Sequence, residues 1–435
     1  MDVQAEAFDW PVEFFRKRVW HVRRPVPEPA ALERAVALIK AAKRPLIIAG
    51  GGTIYAGASE ELRALATATG IPVGDTQAGK GAINFDHPSA VGGVGSTGCD
   101  SGNHIADKAD LIIGVGTRYS DFTTASKTQF KNPDVKFVNI NVAPFDAAKE
   151  SAEMVVADAR EALAALTEAL ADYHVDQSYS DEITAEKEAW LKATERCYHL
   201  NHGPLPAQTE VFGALNELMG EEDVVINAAG SMPGDLQALW QARSPLQYHV
   251  EYAFSCMGYE VPAAMGVKLA RPDAEVVSIV GDGTYQMLPM ELATVVQENI
   301  KVIYVLLQNY GFCSIGALSE SRGSQRFGTK YRQRGEGSHL ADEQVIDGVD
   351  IAANARSWGL DVLEVHTIEE FKEAYRKAEA SDRPTMIHIE TDLYGPNPPG
   401  SSWWDVPVSG VSELESTQRA YEDYQRDRKP QRHYL

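Results

Sequence analysis

Two hard oxygen ligands stand one supersecondary unit apart in this sequence. The apolar run 276–280 leads into Gly281-Asp282-Gly283-Thr284, and the run 302–307 leads into Gln308-Asn309-Tyr310-Gly311, so Asn309 follows Asp282 by 27 residues. A carboxylate, an amide oxygen and a nearby backbone carbonyl suit Mg²⁺, which takes few protein ligands and completes its octahedron with phosphate oxygens and water. The flanking glycines let backbone N–H groups approach a diphosphate, and Thr284 adds a hydroxyl at the next turn. Short glycine motifs recur by chance, so the pattern alone leaves an ordinary Gly-Asp-Gly turn as the alternative.

What must position these residues is a strand–helix–strand unit. Between the two loops, Leu288, Leu292, Val295 and Val296 fall at i, i+4, i+7 and i+8, the apolar stripe of a helix beginning near Pro289. Two strands joined by such a crossover run parallel, and both loops then emerge at carboxyl ends, where open α/β sheets bind ligands. The same alternation fills the chain. Pro45–Ala49 runs into Gly50-Gly51-Gly52, followed by apolar runs at 71–73, 111–115 and 135–140; a second series starts near Pro204 with the run 224–226. Such runs suit parallel sheets covered on both faces.

The predicted fold class is therefore α/β, with two doubly wound parallel-sheet domains and a tail. Residues 1–28 are aromatic- and then Pro-rich, a linker composition; 29–172 form a first domain, 173–203 a solvated helical linker, 204–395 a second domain and 396–435 a C-terminal tail.

Composition narrows the function classes. Lys plus Arg is 40 against Asp plus Glu 62 among 435 residues, a formal charge of −22, which argues against nucleic acid and anionic membrane surfaces as partners. No apolar run approaches the ~18 residues of a membrane span, and the acidic start carries no secretory signal. Cys99, Cys197, Cys256 and Cys313 are scattered without metal or disulfide spacing. A cytoplasmic setting is expected, with each cysteine a small apolar residue.

The Gly-Asp-Gly segment with Asn309 resembles the signature of thiamine-diphosphate-dependent enzymes, where two asparagines stand at the second loop; here the first is Gln308. The resemblance implies thiamine diphosphate and Mg²⁺ as cofactors, with Asp282, Asn309 and the Gly311 carbonyl as metal ligands. It places Gly230, Ser231 and Met232 in the diphosphate-contacting loop, with Gly283 and Thr284 beside it. Met257, next to Gly258, would prop the cofactor in its bent form. Segments 2–7, 76–81 (Thr-Gln-Ala-Gly-Lys-Gly), 114–124, 283–288, 309–312 and 402–408 (Ser-Trp-Trp-Asp-Val-Pro-Val) are together similar to the 3D-(3,5/4)-trihydroxycyclohexane-1,2-dione hydrolase family of myo-inositol breakdown. That narrower resemblance implies hydrolytic opening of a polyhydroxy cyclic diketone to a 5-deoxy-glucuronate.

Family members also carry an N-terminal pyrimidine-binding domain whose glutamate activates the cofactor. No glutamate of this sequence matches that position, so the catalytic residue is unassigned. A homo-oligomer, or a complex with a chain supplying the pyrimidine domain, is expected. Two other readings stay open: an acetolactate-synthase-like carboligase, and a non-catalytic subunit or remnant.

Other features receive plainer readings. Gly50-Gly51-Gly52 is taken as a βα turn, because Tyr55 stands where a dinucleotide fingerprint needs its last glycine. His87, His104, His202 and His249 are read as hydrogen-bonded histidines, Cys313-Ser314-Ile315 as possible pocket lining, and the basic segment 322–334 as a solvated loop.

Overall fold

The structure is a computed structural model describing residues 1–252, 254–334, 340–345 and 349–432. Six strands, β1 (Pro45–Ala49), β2 (Val73–Asp75), β3 (Ala90–Gly93), β4 (Leu111–Val115), β5 (Lys136–Asn141) and β6 (Glu153–Val156), form a parallel sheet ordered β3-β2-β1-β4-β5-β6. A second parallel sheet contains β7 (Val224–Asn227), β8 (Tyr248–Val250), β9 (Val276–Gly281) and β10 (Ile303–Gln308). A short antiparallel pair follows, β11 (Arg332–Arg334) with β12 (Leu340–Val345). Then β13 (Asp361–Val365) and β14 (Thr385–Glu390) rejoin the sheet, whose order is β13-β14-β10-β9-β7-β8.

Central strands are apolar on both faces because helices cover both. Leu46, Ile47 and Ile48 of β1 and Val277, Ile279, Val305 and Leu306 of β9 and β10 are all fully buried. The strand order reverses between β1 and β4 in the first sheet and between β7 and β9 in the second, where β14 is also inserted between β10 and β13. A crevice opens at the carboxyl ends at such a reversal.

The structure departs from the sequence reading in three places. The helix Gln177–Tyr198 is not a solvated linker: Tyr179 and Ile183 join the core of the first domain, while Trp190 and Tyr198 join that of the second. Trp190 Nε1 donates to the Ala238 carbonyl at 2.8 Å and Tyr198 Oη to that of Leu239 at 2.7 Å, so polar tips end buried but satisfied. Strands β3 and β6 fall outside the apolar runs recognised in the sequence. The segment 322–334 is not a free loop either. Arg322 donates to the Trp404 carbonyl at 3.1 Å, and the Arg326 guanidinium lies 4.7 Å from the Tyr394 ring centroid, so both hold the tail.

That tail leaves β14 and returns across the first domain. Ser96 Oγ donates to the Trp403 carbonyl, Trp404 Nε1 donates to Asp121 at 2.7 Å, and the Trp404 ring lies 5.0 Å from that of Phe122. Its helix Glu415–Asp427 is fastened by Ser416 and Thr417 hydroxyls donating to the Gly323 carbonyl. The last residues of the expected polar segment, 433–435, lie outside the described residues. Between the domains, the buried Lys80 ammonium donates to Asp75 and to the Trp240 carbonyl, each at 3.3 Å. No helix among the described residues is long and apolar enough to cross a membrane.

Candidate active site

The crevice at the β7/β9 reversal is a pocket of about 220 Å³. Strand β9 delivers Asp282 into it at the start of the short helix Asp282–Tyr285, and the adjacent parallel strand β10 delivers Asn309. Asp282 is almost fully buried. Its Oδ1 accepts from Gly283 N at 2.8 Å, and its Oδ2 accepts from Asn309 N at 3.2 Å and Tyr310 N at 2.6 Å. Burial nevertheless wins over these bonds and pushes the carboxyl up to about 6. A buried carboxylate with a raised proton affinity gains most from a neighbouring cation.

Asn309 supplies the complementary observation. Its Oδ1 is buried without a hydrogen-bond partner among the described residues. Such an atom costs free energy unless something fills its lone pairs. An amide oxygen and a carboxylate on neighbouring strand ends, with few other charged groups, fit a hard divalent cation that brings its own phosphate and water ligands. No cluster of three His, Cys, Asp or Glu side chains suited to a metal occurs among the described residues. A site built from one carboxylate, one amide and a backbone carbonyl such as that of Gly311 is of a different kind. Gly311 must be glycine: a Cβ there would lie 2.2 Å from the Thr329 carbonyl oxygen.

The other expected residues converge on the same pocket. Gly230, Ser231, Met232, Met257, Gly283 and Thr284 all line it. Gly230 has φ +93°, the left-handed conformation glycine tolerates. Gly258 stands behind the lining at φ +89°, and a Cβ there would strike the Leu288 side chain at 2.6 Å. Thr284 differs from the sequence expectation of a free hydroxyl. Its Oγ1 accepts from Gly258 N at 2.6 Å and donates to the buried Glu260 carboxylate at 3.0 Å. Glu260 Oε1 also takes a long bond, 3.4 Å, from Ala229 N. Thr284 and Glu260 thus tie three loops of the site together, and Glu260 carried no motif in the sequence. Gln208 was missed as well; it reaches the pocket from the helix Gln208–Leu218 and accepts from Ser231 Oγ at 3.2 Å.

Cys313, Ser314 and Ile315 line the pocket. The remaining candidates are satisfied elsewhere. His202 bonds Asp392 at 2.7 Å, His87 bonds Thr67, His104 pairs with Glu186, and His249 bonds Tyr259 at 2.6 Å. All four cysteines are free thiols, and burial pushes that of Cys99 up to about 11, which makes it inert.

Comparison with known proteins agrees with this geometry. Residues 32–166 match the central domain of thiamine pyrophosphate enzymes, and residues 228–389 match their C-terminal TPP binding domain. Three similar relatives bear the name 3D-(3,5/4)-trihydroxycyclohexane-1,2-dione hydrolase. Those of Bacillus cereus (strain AH820) and Bacillus thuringiensis (strain Al Hakam) are 42% identical over 97% of this chain and 69% of their own length. That of Bacillus anthracis (strain A0248) is 43% identical over the same shares. With the Asp282–Asn309 pair seated in the matched TPP-binding domain and this identity running along nearly the whole chain, the protein belongs to the thiamine pyrophosphate enzymes and, among them, to the trihydroxycyclohexanedione hydrolase family.

Proposed function

We propose that this chain carries out thiamine-diphosphate- and Mg²⁺-dependent hydrolysis of a carbon–carbon bond, opening 3D-trihydroxycyclohexane-1,2-dione to 5-deoxy-glucuronate in cytoplasmic myo-inositol breakdown. The observation that carries it is the orphaned Asn309 Oδ1 beside the buried Asp282 carboxylate, in a chain 42–43% identical to relatives of that name. When bound, the cofactor supplies a nucleophilic carbon and an electron sink. The protein's own residues bind and orient. Asp282, Asn309 and the Gly311 carbonyl would hold the metal against the diphosphate, Gly230 and Ser231 open the backbone toward it, and Met257 supports the cofactor from its side of the pocket.

Activation needs a carboxylate at the pyrimidine ring. We assign it to a pyrimidine-binding domain of the kind the family carries. Calorimetric titration of thiamine diphosphate, with Mg²⁺ and then with EDTA, tests the reading. Heat that disappears on chelation and in Asp282→Ala is the expected result, with ring opening of the diketone once a pyrimidine domain is supplied. Metal-independent binding, or turnover of pyruvate instead of the diketone, would overturn it.

A further inference from the structure

A second cavity, of about 480 Å³, adjoins the cofactor pocket and shares Gly230, Ser231, Ser255 and Ser314 with it. The first domain adds Thr97 to its wall and the tail adds Trp404. Its size lies within the ~300–1,000 Å³ of small-molecule sites. No lysine, arginine or histidine lines it among the described residues, so a substrate carboxylate would enter without a counter-charge. The hydroxyls of Ser255 and Ser314 take no intramolecular partner among the described residues. This wall chemistry suits a neutral, hydroxyl-rich molecule, and pyruvate poorly.

Two carboxylates stand in that wall, Asp235 and Glu251. Asp235, in the first turn of the helix Met232–Leu239, is only 9% exposed. Among the described residues no cation pairs with it; Gln208 Nε2 donates to its Oδ2, and the same Gln208 accepts from Ser231 Oγ at 3.2 Å. Burial pushes the Asp235 carboxyl up to about 7, against the lowering effect of the Gln208 bond. The titratable neighbours are few. Cys197, on the helix Gln177–Tyr198, and Cys313, at the start of the helix Cys313–Ser321, sense its charge, and burial raises both thiols. Glu251 lines the same cavity with its Oε2 accepting from Cys256 N at 2.8 Å.

We propose that this chamber receives the neutral polyhydroxy ring and that Asp235 is the acid–base residue acting on it, an inference that rests on the function proposed above. The proton balance is closed. The Asp235 carboxylate takes a proton from water as the water oxygen bonds to one carbonyl carbon. The bond from that carbon to its carbonyl neighbour breaks, the electron pair stays with the neighbour, where the bound cofactor would serve as its sink, and the Asp235 acid returns the proton there. One carbon leaves as a carboxylic acid, the other as an aldehyde, and Asp235 ends as it began.

The test is calorimetric titration of pentahydroxycyclohexanone, a stable cyclic polyol ketone, into the full chain loaded with thiamine diphosphate and Mg²⁺. Two buffers of different ionisation enthalpy report the protons exchanged between pH 6 and 8. The ring should bind with partial proton uptake near neutrality, because excluding water raises the affinity of a facing carboxylate for its proton. Asp235→Asn should still bind thiamine diphosphate but exchange no proton. Gln208→Leu, which removes the bond that favours the ionised form, should move the uptake to higher pH. A loaded chain that does not bind the ring, or proton uptake that persists in Asp235→Asn, overturns the proposal. Should Asp235→Asn not fold, unchanged uptake in Gln208→Leu does so. A wild-type chain that takes up no thiamine diphosphate refutes the underlying function instead.

Discussion

At the reversal point of the first sheet the glycine-rich loops are pressed onto each other, whereas at that of the second Gly230 stands clear. A Cβ on Gly50 would lie 2.4 Å from the Gly116 carbonyl oxygen and one on Gly52 2.7 Å from Gly116 Cα, while the same position on Gly230 meets nothing within 4 Å. A crevice of about 460 Å³ does open over the first set, but its two amides are spent. Gln77 donates to the Pro233 carbonyl and accepts from Tyr248; Asn141 donates to the Thr117 carbonyl and accepts from Ala143 N. In the second, Asn309 Oδ1 is left over. One architecture thus uses glycine in two ways, to bring chain against chain and to keep chain away from a ligand. The unsatisfied acceptor tells them apart.

The comparison breaks first at Asp282. Asp282→Asn keeps the shape and removes the charge, and it should weaken thiamine diphosphate binding in Mg²⁺ by more than about 100-fold, beyond the ~10–100-fold typical of losing a mere supporting group; calorimetry reads this directly. Asn309→Ala should cost about 10–100-fold in the same titration. Because its buried oxygen has no partner, the unliganded protein should melt no lower than wild type in a thermal scan. Gly52→Ala reverses that pattern: a backbone collision should destabilise the fold by about 1–3 kcal/mol in urea titrations while cofactor affinity is retained.

Acidity gives a fourth contrast. The Asp282 carboxyl lies at about 6 in the folded protein without metal, above its ordinary 3.8. The folded state therefore holds more protons in that window, and this residue's contribution to stability falls as pH rises from about 4 to about 6. Metal competes with the same proton, so Mg²⁺-dependent cofactor affinity should drop about tenfold per unit below pH 6. A flat profile between pH 5 and 7 would contradict the assignment. The mildest change is Gly230→Ala, which meets no atom and should cost only the ~1–2 kcal/mol of a left-handed backbone, measurable by denaturant titration.

The pairing of Asp282 with Asn309 was legible because its spacing is local: one strand–helix–strand unit fixes the two against each other, and apolar runs announce both strands. Strand β3 gave no such signal. In Ala90-Val91-Gly92-Gly93 small residues serve neighbours far along the chain, with Trp190 Cε2 only 3.1 Å from a Cβ built on Gly92. The helix Gln177–Tyr198 reads as polar for a different reason: its buried stripe, Tyr179, Ile183, Trp190, Thr194 and Tyr198, is narrow and carries a threonine and two tyrosine hydroxyls, while most of its other positions are polar or charged. The chain from Asp235 through Gln208 to Ser231 was hidden because it joins a helix to a loop more than 20 residues away through side chains of ordinary type. Thr284 lies in the pocket wall, but its hydroxyl is committed to Gly258 and Glu260.

The returning tail ties the first domain to the clock of synthesis. Ser96 meets Trp403 across 307 residues of chain, which a ribosome adding ~5–20 residues per second needs roughly 15–60 s to traverse. Throughout that interval Phe122 and Asp121 await their tryptophan, so a nascent chain interrupted before residue 404 presents an uncovered aromatic face to chaperones and proteases. Covering of the Phe122 and Asp121 face thus waits on synthesis of the Trp403-Trp404 segment.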